Sequence, residues 1–134
     1  MPLSRIRAAL ETAVMLITPP IDTVFENTAY QPTTGRPFQQ VNLIMAEPDN
    51  QEFGSNYQEQ GYMQLTLFYP QQGGPSASDS RVELIRSRFS RGQSFTNGGY
   101  IVTINRTPRV SPAYIDGGRF IRPVSITFYS NIGL

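Results

Sequence analysis

The stretch GYMQLTLFYPQQGG, residues 61–74, alternates in side-chain character and then ends in a proline and a glycine-containing linker. Successive side chains of a β-strand point to opposite faces. One face of this segment carries Met63, Leu65, Leu67 and Tyr69, and the other carries Tyr62, Gln64, Thr66 and Phe68. The first face is predicted to be core. The second is half polar and half aromatic, which suits a surface that is buried only in part or only after assembly.

Two segments have the periodicity of amphipathic helices. In the first, residues 1–20, apolar residues recur at three- and four-residue steps until Pro19 and Pro20 stop the pattern, and Ser4 is the expected N-cap. This helix is predicted to lie as a lid over a sheet. The second segment is DSRVELIRSRF, residues 79–89, in which Ser80 and Glu83 have the spacing of a capping box. Its apolar stripe consists of Val82, Ile85 and Phe89.

The other ordered segments read as short strands between turns. They are IDTVFEN (21–27), FQQVNLIMAEP (38–48), GGYIVTINRT (98–107), PRVSPAYI (108–115) and GRFIRPVSITFYS (118–130). Glycine pairs at 98–99 and 117–118 predict tight hairpin turns. Pro123 removes one ladder donor, so its strand is predicted to lie at an edge or to be bulged. With 134 residues, the chain is expected to form one domain, 1–134.

The composition removes much of enzyme chemistry. The chain has no Cys and no His, so thiol nucleophiles, imidazole bases and most zinc sites are excluded. No catalytic, cofactor-binding or metal-binding residue is therefore assigned, and no cofactor is expected. The net charge of +1 provides no strong attraction to nucleic acid or to an anionic membrane. No apolar run approaches a membrane span, so the protein is expected to be cytosolic where it is made.

The quoted strands, together with VFENTAYQPTTGRPFQQVNLIMAEP (24–48) and the glycine-rich C-terminal third (98–130), resemble the tail terminator or tail completion proteins of lambda-like long-tailed bacteriophages. The motifs are an aromatic-Glu-Asn sequence, a strand that starts with Pro-aromatic and closes with Ala-Glu-Pro, and a Gly-x-x-Gln strand that closes in Phe-x-Pro. The resemblance covers essentially the whole chain.

The resemblance implies an α+β subunit with a mixed, mostly antiparallel sheet flanked by an N-terminal helix and one mid-chain helix. It also implies a structural virion protein, not an enzyme. Such a protein forms a homo-oligomeric ring, commonly a hexamer, at the head-proximal end of the tail. Its partners would be other copies of itself, the tail tube protein and a head completion or connector protein. Genomic DNA would pass through the ring without sequence-specific binding, and no membrane would be involved.

The residues predicted to form the assembly surface come from two segments. Phe53 and Tyr57 belong to a long polar segment, 49–60, that is predicted to be a loop, and the others are Arg86, Arg88 and Arg91. Because these arginines and Arg81 fall within eleven residues, a solvated helix face and a nucleic-acid contact stay open as alternatives. Another neck component, such as a head completion or connector protein, is the nearest alternative function. A small enzyme is the most remote.

Overall fold

The computed structural model describes residues 2–28, 31, 35–50 and 56–132. In chain order the elements are α1 (Pro2–Met15), β1 (Asp22–Val24), β2 (Phe38–Met45), β3 (Tyr57–Pro70), α2 (Ser76–Arg88), β4 (Ser94–Asn97), β5 (Tyr100–Ile104), β6 (Arg109–Val110), β7 (Tyr114–Asp116) and β8 (Arg119–Ile132). The predicted α+β class is confirmed.

One mixed sheet contains all of these strands, in the order β1-β2-β3-β8-β5-β4, with β6 and β7 also paired to β8. Only β1 and β2 run parallel, and the other pairs are antiparallel. The centre of the sheet is the β3–β8 pair. It runs in continuous register from Tyr57 opposite Ile132 to Pro70 opposite Arg119. The two tight turns are as predicted: Gly98 and Gly99 both have positive φ, 58° and 86°, which a type I′ turn requires.

Both helices cover the same face of the sheet. The apolar stripe of α1 packs with Val82, Ile85 and Phe89 of α2 and with the buried residues of β3, β5 and β8 in one cluster. The predicted core face of β3 is confirmed, because Met63, Leu65 and Leu67 are fully buried. α1 contacts β4 and β5, so it is the lid that was predicted. The opposite face of the sheet, called here the outer face, has no helix among the described residues.

The starts of both helices differ from the prediction. α1 begins at Pro2, so Ser4 lies in its first turn and is not the N-cap. α2 begins at Ser76, four residues before Ser80, and its N-cap is Pro75 without a side-chain cap bond. Ser80 and Glu83 therefore form no capping box. The segment before Asp79 has no apolar periodicity, which is why the sequence does not mark this first turn.

The β2–β3 connection is tighter than predicted. β3 begins at Tyr57, not at Gly61, because residues 57–60 continue the ladder with β8. The N–H of Ala46 donates to the carbonyl of Gln60 at 2.8 Å, and Asp49 and Gln58 exchange two backbone hydrogen bonds of 2.9 and 2.8 Å. Residues 46–50 and 56–60 therefore lie side by side and extend the sheet, whereas the prediction for 49–60 was a loop. These two segments together are called the hairpin tip below.

Pro123 does not lie in an edge strand, contrary to one of the two predictions. β8 has β3 on one side and β5, β6 and β7 on the other. The carbonyl of Pro123 accepts from the N–H of Ser111 at 3.0 Å. In an antiparallel ladder the N–H and the carbonyl of a residue point to the same side, so the N–H that proline lacks would also point toward Ser111. The pairing shifts by one residue between Val110↔Val124 and Tyr114↔Ile121. The bulge therefore lies in the segment that joins β6 to β7, beside Pro123, and not in β8.

At the β1 edge of the sheet, a side chain accepts a backbone hydrogen bond that would otherwise be open to another strand. The β1–β2 ladder ends at Val24 opposite Gln40. Further along β2, the N–H of Leu43 donates to Oε1 of Glu26 at 2.5 Å, and Nη1 of Arg7 donates to the same oxygen at 2.9 Å. A carboxylate thus takes the place of a strand carbonyl at this edge, and these two donors lower the pKa of Glu26.

Candidate assembly surface

The outer face of the sheet carries the second face of the opening strand. Tyr62 is 38% exposed, whereas its neighbour Met63 is fully buried. Tyr62 and Gln64 of β3 lie beside Ser125 and Thr127 of β8, across the register Tyr62↔Thr127 and Gln64↔Ser125. These four side chains form a polar floor. The predicted division of the strand into a core face and a partly buried face is therefore confirmed.

One concavity of about 1070 Å³ stands on this floor. Its remaining lining residues are Arg91, Asn105, Arg106, Thr107 and Arg109. These residues form the wall of the concavity because the chain leaves its pairing with β8 between Asn105 and Arg109. The N–H of Asn105 still donates to the carbonyl of Thr127 at 3.3 Å, and the chain pairs with β8 again at Arg109, opposite Ser125. Three residues, 106–108, therefore stand opposite a single residue of β8. This concavity is called the arginine groove below.

The eleven arginines divide into two groups. Eight donate to a carboxylate, a carbonyl or a side-chain amide of the same chain: Arg5, Arg7, Arg36, Arg81, Arg86, Arg88, Arg119 and Arg122. The other three, Arg91, Arg106 and Arg109, have no hydrogen bond or ion pair within the parts of the chain that the structure describes. All three are exposed, and all three line the arginine groove. Among the described residues that line the groove there is no carboxylate.

The three predicted interface arginines are not brought together. Nε of Arg86 donates to the carbonyl of Pro108 at 3.1 Å, and Nη2 of Arg88 donates to the carbonyl of Leu16 at 3.0 Å. Arg88 lines a separate cleft of about 270 Å³ next to the end of α1. Only Arg91, which follows α2 in a turn, lines the arginine groove. Whether Arg86 and Arg88 contact a partner stays a prediction.

Arg81 corrects the expectation of a solvated helix face. Its side chain is 3% exposed, its guanidinium donates to the carbonyl of Pro19, and its Nε has no partner among the described residues. Burial lowers the pKa of Arg81, because desolvation penalises the charged form. This arginine fastens α2 to the segment that follows α1, and it is not available at the surface.

The two predicted aromatic residues have different outcomes. Phe53 lies outside the described residues. Tyr57 is the first residue of β3, stands opposite Ile132 and is half-buried, so its placement in a loop was wrong. Its role in an interface stays a prediction. Sequence reasoning did not select Arg106 and Arg109, since no local pattern shows which turn of a sheet protein rises beside which strand.

The fold and the groove define a small α+β protein with a concave cationic surface. The family model of phage tail terminator proteins matches residues 5–128, and the chain belongs to this family. The predicted resemblance is thus confirmed, and the protein has a structural role in a phage tail. No curated protein matches the chain. A solved structure with 18% identity superposes with a TM-score of 0.80 over 100% of this chain and 98% of its own, which shows the shared fold.

Among the helices of the described residues, none is long and apolar enough to cross a bilayer.

Proposed function

We propose that copies of this chain form a closed ring at the head-proximal end of a phage tail tube. The ring ends the polymerisation of the tube and presents the surface to which the head joins. Its partners are identical copies, expected to number six, the tail tube protein, and a head completion or connector protein. Genomic DNA passes through the ring without sequence-specific contacts.

The observation that carries this proposal is the placement of the unpaired arginines on an outer face that no helix covers. A family of structural tail proteins provides the biological setting. Arginine is enriched at protein interfaces, because its planar fork of donors binds carboxylates in a defined geometry. Three such side chains, without partners among the described residues and gathered in one groove, are suited to contact another subunit.

The experiment is electron microscopy of phage particles made without this protein. Loss of a terminator leaves the tube free to keep growing, so we expect overlong tails of variable length. A head completion or connector protein would give a different picture, namely tails of normal length that are not attached to heads. That second result would contradict the proposal. The mass of the purified protein, alone and with tail tubes, gives the number of subunits.

A further inference from the structure

We propose that the arginine groove of one subunit receives the hairpin tip of the next subunit. This inference rests on the proposed ring and assigns the two surfaces that would close it. The occupant of the groove is therefore a second copy of this chain.

The charges of the two surfaces are complementary. Residues 37–80 contain no basic residue, and three of their five carboxylates belong to the hairpin tip: Glu47, Asp49 and Glu59, with Glu52 between them in sequence. Asp79 accepts from Arg122 at 2.7 Å. Among the residues that the structure describes, neither Glu47 nor Glu59 forms an ion pair. The tip is thus an anionic segment without a basic neighbour in sequence, and the groove is a cationic recess with no acidic residue among the described residues that line it.

The hairpin tip of a subunit lies outside that subunit's own groove. Residues 57–60 continue the β3–β8 ladder, so this part of the tip extends in the plane of the sheet. The groove opens on the outer face, and its floor begins at Tyr62. Neither Glu47 nor Glu59 is among the residues that line the groove. A second copy is therefore needed to bring these two carboxylates to the three arginines.

A contact between two unlike patches is a head-to-tail contact. Each subunit then uses its tip toward one neighbour and its groove toward the other, and such contacts form a closed ring when the rotation between neighbours closes. Charge complementarity chiefly sets the register and the partner, because like charges that are brought together disfavour a wrong orientation.

The test is a charge exchange between the two surfaces. The groove variant carries Arg106→Glu with Arg109→Glu, and the tip variant carries Glu47→Arg with Glu59→Arg. Under the conditions in which the unaltered protein assembles, alone or on tail tubes, each variant by itself should associate about 10- to 100-fold more weakly. A 1:1 mixture should assemble again, because every contact in a strictly alternating ring then joins opposite charges. Native mass spectrometry measures the complexes and their 1:1 composition.

Two matched variants control for the number and kind of changes. Arg106→Lys with Arg109→Lys keeps the charges and should still assemble. Glu83→Arg with Asp116→Arg reverses two exposed carboxylates that lie outside the hairpin tip, and it should assemble like the unaltered protein. Circular dichroism and thermal unfolding establish that each variant is folded, so that a loss of assembly reports the interface.

Three results would overturn the inference. One is normal assembly of the groove variant or the tip variant alone. Another is folded variants whose mixture does not assemble. The last is a groove variant that keeps its self-association but loses binding to DNA or to tail tubes, which would assign the groove to a different anionic partner. In all three cases the unaltered protein still forms rings. If the unaltered protein forms no ring on tail tubes, the proposed function itself is wrong.

Discussion

Arginine is the only basic residue in this chain, and the position of each copy in the fold decides what it does. The partners of Arg81, Arg86 and Arg88 are backbone carbonyls that lie 62, 22 and 72 residues away in sequence. A cluster of arginines along α2 therefore does not show which of them remain available to contact another molecule. The candidate residues Arg106 and Arg109 belong to a separate segment. This segment lies beside Arg91 because the N–H of Gly92 donates to the carbonyl of Ile104, and because β5 and β6 both pair with β8. Single-sequence reasoning had no access to that pairing.

Glu26 is the carboxylate for which the structure predicts a pH-dependent contribution to stability. Its folded pKa lies below the ordinary value of 4.5, chiefly because the N–H of Leu43 donates to it and also because Arg7 does. A lowered pKa stabilises the fold at every pH above 4.5, and this contribution is lost as the pH falls through the folded pKa. At pH 7, Glu26→Gln should lower the free energy of unfolding by about 1 kcal/mol, after allowance for its exposure. The difference from the unaltered protein should shrink in acid, as urea unfolding at several pH values would measure.

Glu11 is the control for this pH dependence, because its pKa is raised, mainly by desolvation. A raised carboxyl pKa acts with the opposite sign, so its contribution becomes more favourable as the pH falls. Glu11→Gln should therefore not reproduce the acid-dependent loss. A constant deficit of Glu26→Gln between pH 7 and pH 3 would contradict the assignment to the Glu26 carboxylate.

At the scale of elements, the sequence correctly predicted the features that are determined by a pattern within a few residues. The two faces of β3, the apolar stripes of both helices and the two glycine turns all follow from patterns within a few residues. The start of β3 at Tyr57 did not, because residues 57–60 are polar and become strand through pairing with residues 129–132. For a similar reason the sequence left open whether the strand of Pro123 lies at an edge or is bulged, and the edge alternative was wrong. The missing donor of Pro123 is accommodated by a bulge in the segment beside it, which the sequence of β8 cannot show.

Among the glycines that the structure describes, Gly61 has the least room for a side chain. It is buried between Met45 and Phe128, and a Cβ at this position would lie 2.3 Å from the carbonyl oxygen of Ile44, a backbone atom that cannot move independently of β2. Gly61→Ala should therefore lower the free energy of unfolding by about 1–3 kcal/mol. The matched control is Gly73→Ala, whose Cβ would make an ordinary contact of 3.6 Å. Its stability should change by less than about 1 kcal/mol. Equal effects in chemical denaturation would refute this account.

At the scale of the whole molecule, the two faces of the sheet differ, because the described helices pack on one face and the other carries the arginine groove. The helices and the core side chains of the sheet form a single cluster. The outer face keeps a polar floor and the three unpaired arginines. The two-layer arrangement followed from the sequence, since the amphipathic helices and the alternating strand each have one apolar side. The opposite charges of the hairpin tip and the groove emerged only when the three-dimensional positions were known.

The proposed contact between subunits predicts a dependence on salt. Raising the ionic strength from 0.1 M to 1 M shortens the screening length from about 10 Å to about 3 Å. Self-association of the unaltered protein should weaken by about tenfold or more over this range. Sedimentation velocity at a series of NaCl concentrations measures this. The Glu83→Arg, Asp116→Arg control should show the same dependence, and association that strengthens with salt would indicate an apolar interface instead.

The two margins of the sheet limit how copies of this protein can aggregate. β1 has three residues and β4 has four, and beyond β1 the carboxylate of Glu26 already occupies the N–H of Leu43. A long, unprotected edge strand is the usual site at which strands of other molecules add repeatedly to a sheet. Here an incoming chain would find only a few backbone groups to pair with. Concentrated free protein should consequently resist conversion to amyloid-like fibrils.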